Sequence, residues 1–170
     1  MPRFRIDAGE SRVWIEAKSS LHPIHGEGSG LDGTIEAELS DGRFDLSTGP
    51  VMRLSMPVER LQSGNRLYDG EMRRRVDTRK YPTISGEATD VREAGEAGRY
   101  HVRGDLSFHG VTNAVEGDVE LSAPDERTLV VEGERVFDIR EFRLDPPKIL
   151  TLRVYPEVNV RVRVVARRES

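Results

Sequence analysis

The sequence contains no cysteine, and this absence excludes several kinds of site at once. Disulfide bonds, thiolate zinc sites, iron–sulfur clusters and cysteine nucleophiles all require this residue. Long apolar stretches are also missing, since no segment approaches the roughly 18 consecutive apolar residues of a membrane-spanning helix. We therefore expect neither an integral membrane segment nor a fold held by covalent cross-links.

The first twenty residues also lack the apolar stretch of about 7–15 residues that marks a secretory signal peptide. Because the chain begins with Met1, we expect a cytoplasmic protein; the mature form of an exported protein is the alternative. The formal net charge of −4 argues against a protein dedicated to binding nucleic acid. A length of 170 residues, 36% of them hydrophobic, is typical of one globular domain, which we place at residues 1–170.

The strongest pattern that is present is the alternation of apolar and polar residues, which is typical of β-strands with one buried face. It is clearest near the C-terminus and in two runs, 102–108 and 115–121, that flank the turn segment HGVTN and predict a hairpin. The pattern predicts nine buried side chains: Val102, Leu106, Phe108, Val115, Val119, Leu121, Val158, Val160 and Val162. It predicts exposure for their neighbours, which are Arg103, Asp105, Glu116, Asp118, Arg161 and Arg163.

Weaker strands follow the same pattern, and turn-forming segments separate them. One segment, residues 65–76, instead has roughly helical spacing of its larger side chains, with Asn65 as a candidate N-cap. Those side chains are Leu67, Tyr68, Met72 and Val76. About eight to ten short strands with one short helix favour either a β-sandwich or a closed antiparallel barrel.

Four glycines fall on the predicted inward faces of these strands, at Gly86, Gly104, Gly117 and Gly133. A residue without a side chain leaves volume unfilled, so the pattern favours a barrel with an internal cavity. The alternative is that these glycines mark bends or bulges in the strands.

Three segments carry a resemblance that runs along the chain in order: FRIDAGESRVWIEA (4–17), SGNRLYDGEMRRRVDTRKYPTI (63–84) and VRGDLSFHGVTNAVEGDVEL (102–121). They resemble the YceI family of lipocalin-like, polyisoprenoid-binding proteins, and the HGVT hairpin is the most specific part. The resemblance implies an all-β fold, namely an extended antiparallel lipocalin-like β-barrel of about eight strands with one short helix. It also implies a lumen that holds a long apolar chain. Gly86 stands where relatives carry an aromatic residue.

On this basis we expect a carrier that sequesters a polyisoprenoid, an isoprenoid quinone or a fatty-acid derivative, with no chemistry on the ligand. We expect no catalytic residue, no metal and no cofactor apart from such a ligand. The candidate ligand-binding residues come from the inward strand faces and the helix: Val13, Ile15, Ile35, Met52, Leu54, Leu67, Tyr68, Met72, Val76, Ile84, Gly86, Leu106 and Phe108.

One alternative is an enzyme, hydrolase-like or metal-dependent, that uses His22, His25 and His109 at the barrel mouth. It requires the three imidazoles to converge, whereas Pro23 opposes a helix between the first two and no acidic ligand is adjacent. The interpretation we prefer for His109 is that it and Thr112 hydrogen-bond the backbone of their own turn.

A second alternative is a filled barrel that acts as a protein-interaction module. Trp14 has the opposite parity from Val13 and Ile15, so it is predicted to lie outside the lumen, where a homodimer contact is open to it. The basic run that includes Arg73, Arg74 and Arg75 is either a phosphate- or membrane-binding surface or a solvated helix end; we favour the solvated helix end.

Overall fold

A computed structural model describes all of residues 1–170. It contains fourteen strands, one α-helix and three short 3₁₀ turns. The strands are β1 (Arg3–Ile6), β2 (Arg12–Ser19), β3 (Ile24–Gly28), β4 (Asp32–Glu36), β5 (Leu39–Ser40), β6 (Arg43–Phe44), β7 (Val51–Pro57), β8 (Leu61–Gln62), β9 (Thr83–Glu93), β10 (Arg99–Phe108), β11 (Val111–Asp125), β12 (Thr128–Asp138), β13 (Lys148–Ile149) and β14 (Leu152–Arg168). The helix α1 spans Arg66–Val76, and the 3₁₀ turns span Leu46–Thr48, Val58–Arg60 and Ile139–Phe142.

Eight of the strands close into an antiparallel barrel in the order β1-β4-β7-β9-β10-β11-β12-β14, and β14 pairs back with β1. The long β14 also pairs with β2 beyond the end of β1, and β3 and β8 continue the wall from β2. Ser11 lies at this break in the wall, where its hydroxyl accepts from the Val165 amide and donates to the Val165 carbonyl oxygen. Closure pairs strands that would otherwise be exposed edges, and it confirms the predicted all-β barrel with one helix.

The register of the pairs confirms the predicted faces of the strands. Val162 pairs with Gly133 and Val13, while Arg161 pairs with Glu134 and Trp14 on the outer face. The six neighbours that were predicted to be exposed are all exposed. The predicted degree of burial is wrong for most of the inward set: Leu121 is buried, whereas the other eight are half-buried. These residues do face inward, but they face a hollow lumen that solvent reaches.

Most of the buried apolar residues belong to two clusters of unequal size, and the partly buried Ile84 packs against both. The larger, which we call the closed end, joins the start of β10 to the ends of β11 and β14 through Tyr100, Leu121 and Ala166. There the Tyr100 hydroxyl accepts a hydrogen bond from the Phe44 amide at 3.0 Å. The smaller cluster, which we call the helix end, consists of Val58, Val76 and Leu144, with Met72, Tyr81, Ile84, Phe108 and Ile139 packed against it.

The helix begins and ends at the residues that the sequence suggested. The Asn65 side chain accepts hydrogen bonds from the amides of Leu67 and Tyr68, and therefore satisfies two donors of the first turn. Asp77 ends the helix in the left-handed region, at φ 57°. Val76 is the residue of the helix that is buried, and it packs on the barrel at the helix end.

The β10–β11 connection is a tight two-residue turn at His109 and Gly110, both with positive φ. The expectation that His109 bonds its own turn is wrong. Its Nδ1 lies 2.8 Å from the carbonyl oxygen of Phe142, in the 3₁₀ turn that follows β12. Thr112 also bonds elsewhere, since its hydroxyl contacts the Ser107 hydroxyl at 2.6 Å. In a two-residue turn with both residues left-handed, the histidine ring points away from the loop and reaches the neighbouring segment.

Candidate functional site

A cavity of about 270 Å³ lies inside the barrel, and part of its lining, including Ile6, Ile35 and Val164, belongs to the larger cluster. Nineteen of its lining residues occupy lumen-facing positions, and all but one of these are apolar or glycine. The apolar ones are Ile6, Ile35, Met52, Leu54, Ala88, Val102, Leu106, Val115, Val119, Val131, Phe137, Val160, Val162 and Val164. The lumen is therefore not filled by its own side chains, in contrast to the filled-barrel alternative.

All four inward glycines line this cavity, and they lie on four successive strands, β9 to β12. A Cβ atom at Gly86 or Gly117 would have no neighbour closer than 3.5 Å, so these two positions of the cavity lining could hold a side chain at ordinary contact distance. Gly104 is different, because a Cβ there would lie 2.1 Å from the Glu87 carbonyl oxygen, beside a shift in the β9–β10 register. Gly86 and Gly117 thus fit the cavity interpretation, whereas Gly104 fits the interpretation as a bulge.

Five of the thirteen predicted ligand-binding residues line the cavity: Ile35, Met52, Leu54, Gly86 and Leu106. Four others, Met72, Val76, Ile84 and Phe108, belong to or pack against the cluster at the helix end. Val13 packs on the cluster at the closed end, and Ile15 lies against Gly26 on the inner side of β2 and β3. Met72 and Val76 therefore pack the end of the barrel and do not line the cavity.

Leu67 lies apart from the cavity, since 52% of this residue is exposed and it belongs to neither cluster. Leu67 precedes Val76 by nine residues, or about two and a half turns of an α-helix, which places the two side chains on opposite sides of the helix. It therefore points away from the face that Val76 buries. Tyr68 lies nearer to that face, and its hydroxyl is 3.4 Å from Nε2 of His22.

The barrel wall has a side opening between β11 and β12. These strands pair from Asp125–Thr128 up to Val119–Gly133, and beyond that pair they separate. Seven residues on the two rims line both the inner cavity and an outer surface depression: Glu116, Gly117, Asp118, Val119, Gly133, Glu134 and Arg135. The lumen therefore reaches the outer surface through the wall.

Arg135 is the one charged residue at a lumen-facing position of the cavity lining, and the ligand-site prediction from the sequence missed it. It pairs across the sheet with Val160, which is also a lining residue. Its guanidinium carbon lies 4.5 Å from the centre of the Phe137 ring, and its Cδ lies beside Gly117 in the opening. A signal was available in the sequence, because Arg135 is in phase with Val131, Gly133 and Phe137.

The three histidines of the enzyme alternative do not share a site. His22 contacts Tyr68, His25 lies 3.7 Å from the Glu16 carboxylate on the outer face, and His109 bonds Phe142. No group of three or more histidine or acidic side chains is arranged to hold a metal ion. The three imidazoles therefore do not converge, as the enzyme alternative requires.

Two surface features that the sequence left open, the basic run at the end of α1 and Trp14, each contact a neighbouring side chain of opposite or complementary character. The Glu71 carboxylate binds Arg74 at 2.7 Å and Arg75 at 2.9 Å, and the same contacts hold the pKa of Glu71 below its usual range. Trp14 lies on the outer face as predicted, where the Arg161 guanidinium stacks 4.2 Å from its ring centre. Neither feature opens into the cavity.

The model for the YceI-like domain matches residues 4–166 of this sequence. The chain belongs to the YceI-like family. No curated protein matches the sequence. Of the helices in the structure, none is long and apolar enough to cross a membrane.

Solved YceI-like structures share the fold at low sequence identity. BcnA of Burkholderia cenocepacia is 17% identical over 94% of this chain and 98% of its own, with a TM-score of 0.79. A polyisoprenoid-binding domain from Saccharophagus degradans, implicated in plant cell wall breakdown, is 14% identical over 98% of both chains, with a TM-score of 0.78. The YceI protein of Campylobacter jejuni is 13% identical over 85% of both, with a TM-score of 0.68.

Proposed function

We propose that this YceI-like protein is a binding protein that shields the apolar chain of a lipid-like molecule from water inside its barrel. The observation that carries the proposal is the lumen itself, whose inward side chains are apolar or absent except at Arg135. Each methylene moved from water into such a lumen gains about 0.8 kcal/mol before the costs of binding. An apolar chain is therefore the ligand class that gains most from this site.

Within that class we propose a single chain: a polyisoprenoid, an isoprenoid quinone or a fatty-acid derivative. A cavity of about 270 Å³ lies just below the roughly 300–1,000 Å³ of small-molecule sites, so a long chain extends beyond it. The polyisoprenoid-binding neighbour from Saccharophagus degradans supports this class.

We also propose that the protein does no chemistry on the ligand. The lining contains no serine, threonine, histidine, tyrosine or lysine. Its acidic residues lie at outward positions on the strands, where several pair with basic side chains. A nucleophile next to a base, which covalent catalysis requires, has no counterpart in this lining.

The test begins with native mass spectrometry of the purified protein, followed by extraction and identification of the lipid that copurifies. Displacement of a fluorescent fatty acid then measures binding in wild type and in Gly86→Phe. Gly86 pairs with Leu54 and Leu106, and a Cβ there meets only ordinary contacts, so the ring would occupy the lumen. Ala114→Phe is the matched control, since Ala114 is exposed on the outside of β11.

We expect wild type and Ala114→Phe to bind equally well, and Gly86→Phe to bind a shorter chain or bind more weakly while remaining folded. Bound ligand raises stability by RT ln(1 + [L]/Kd), about 2.7 kcal/mol at a hundredfold excess over Kd, so melting curves give an independent measure. The proposal is wrong if wild type binds no apolar chain and Gly86→Phe melts far lower, as an overpacked core would.

A further inference from the structure

We propose that Arg135 binds the anionic head group of an amphiphile whose chain lies in the lumen. This inference rests on the proposed function and adds to it the place and the chemistry of the ligand's polar end. The shared chemistry is a terminal group of negatively charged oxygens, either a carboxylate or a phosphate.

The position of Arg135 is the first argument. It stands where β11 and β12 separate, on the boundary between the apolar cavity and the outer surface. The opening is a bounded window: the Val119–Gly133 pair closes it below, and Asn113 and His109 bind the segment after β12 above it. A chain inside the lumen can therefore leave its head group in this window, beside the guanidinium.

The absence of a protein partner is the second argument. Arg135 forms no hydrogen bond and no ion pair with the protein. Its guanidinium makes a cation–π contact with the ring of Phe137. The carboxylates at the window have other partners: Glu116 binds Arg103, Asp118 binds His101, and Glu134 accepts from Asn159. A guanidinium carries five N–H donors, and here all of them lack a protein acceptor.

Energetics favour an anion at this point over any other group. Arg135 is half-buried beside apolar walls, where an ionic hydrogen bond is less weakened by water than on the open surface. The flat guanidinium can donate two parallel hydrogen bonds to a carboxylate or a phosphate. The outer depression has five carboxylates and three arginines, so a free anion gains little there. Chain and head group must therefore act together.

The experiment compares three ligands with one chain and different heads: lauric acid, lauryl phosphate and lauryl alcohol. Their affinities are measured by calorimetry, below the concentration at which they aggregate, for wild type, Arg135→Gln and Arg135→Lys. Arg92→Gln is the matched control, because it removes the same charge from an exposed position outside the window, where Arg92 pairs with Asp90. Sodium acetate and inorganic phosphate serve as heads without chains.

We expect Arg135→Gln to weaken lauric acid and lauryl phosphate about tenfold or more and to leave lauryl alcohol unchanged. Arg135→Lys should restore part of the loss, Arg92→Gln should change nothing, and the short anions should not bind. The inference is overturned if Arg135→Gln acts equally on acid and alcohol, if Arg92→Gln acts as strongly, or if inorganic phosphate binds alone. If wild type binds the alcohol and the acid equally well, the carrier function stands and the head-group site is wrong. If none of the three binds, the carrier function itself fails.

Discussion

The imidazole of His109 and the carbonyl oxygen of Phe142 lie 2.8 Å apart, and this contact attaches the segment after β12 to the β10–β11 turn. Since a carbonyl oxygen only accepts, Nδ1 must carry the proton and donate. Asn113 adds a second attachment through its Nδ2 atom, 2.7 Å from the Glu141 carbonyl oxygen. Together they hold the upper border of the side opening, so the most specific motif of the sequence is a structural brace beside the lumen.

His109→Ala should loosen this border without unfolding the barrel. The loss of one hydrogen bond to a partly buried carbonyl costs about 0.5–1.5 kcal/mol. Hydrogen exchange should be faster at the amides of Arg143 and Leu144, which are bonded within this segment. Thr112→Ala is the control, because its hydroxyl bonds Ser107 on the exposed face. Equal exchange rates in His109→Ala and wild type would contradict the bracing role.

Gly110→Ala should destabilise the protein by more than the cost of placing alanine in a left-handed backbone conformation. Gly110 has φ 72°, and a Cβ there would lie 2.6 Å from the Tyr81 ring. Gly64→Ala is the matched control, since Gly64 has φ 80° and nothing lies within 4 Å of its Cβ position. The control should lose about 1 kcal/mol of unfolding free energy and Gly110→Ala about 1–3 kcal/mol more. Urea unfolding measures both, and equal losses would contradict the contact with Tyr81.

Alternation and turn residues were enough to predict the β10–β11 hairpin and the helix, because each depends on local spacing. They left a sandwich and a barrel open, and the resemblance to the YceI family supplied the barrel. The shape of the lumen could not be predicted from local spacing, because it depends on the register between strands from distant parts of the chain. Gly86 and Gly104 look alike in the sequence, but one faces open volume and the other marks a bulge. The side opening depends on where β11 and β12 stop pairing, which no local pattern encodes.

His101 should titrate above the ordinary pKa of histidine. A hydrogen bond with Asp118, at 2.7 Å from Nδ1, raises the pKa of His101, and the Glu116 carboxylate adds to the effect. Because the folded protein holds this proton more tightly than the unfolded chain, the contact stabilises the fold below the ordinary pKa. That contribution disappears as the pH rises through the raised pKa.

Imidazole chemical shifts followed by NMR against pH measure this effect. Asp118→Asn should lower the pKa of His101 toward its ordinary value, and it should reduce the loss of stability between mildly acidic and neutral pH. Asp105→Asn is the control, because Asp105 is exposed on β10, the strand of His101, and has no ion-pair partner. An ordinary pKa for His101 in wild type would rule out the pairing with Asp118.

Alanine at Gly104 and at Gly117 should have opposite effects, although both glycines face the lumen. At Gly104 the new methyl group would meet the Glu87 carbonyl oxygen at 2.1 Å and the Ala88 Cα at 2.7 Å, and backbone atoms cannot move aside cheaply. We expect a loss of about 1–3 kcal/mol or more in the free energy of unfolding.

At Gly117 the nearest atom is the Arg135 Cδ at 3.6 Å, an ordinary contact with a flexible side chain. There alanine should be neutral or stabilise by up to about 1 kcal/mol, because it restricts the unfolded chain more than glycine does. Urea unfolding of the two variants separates these outcomes, and a tolerated Gly104→Ala would show that the β9–β10 bulge does not bring the strands this close.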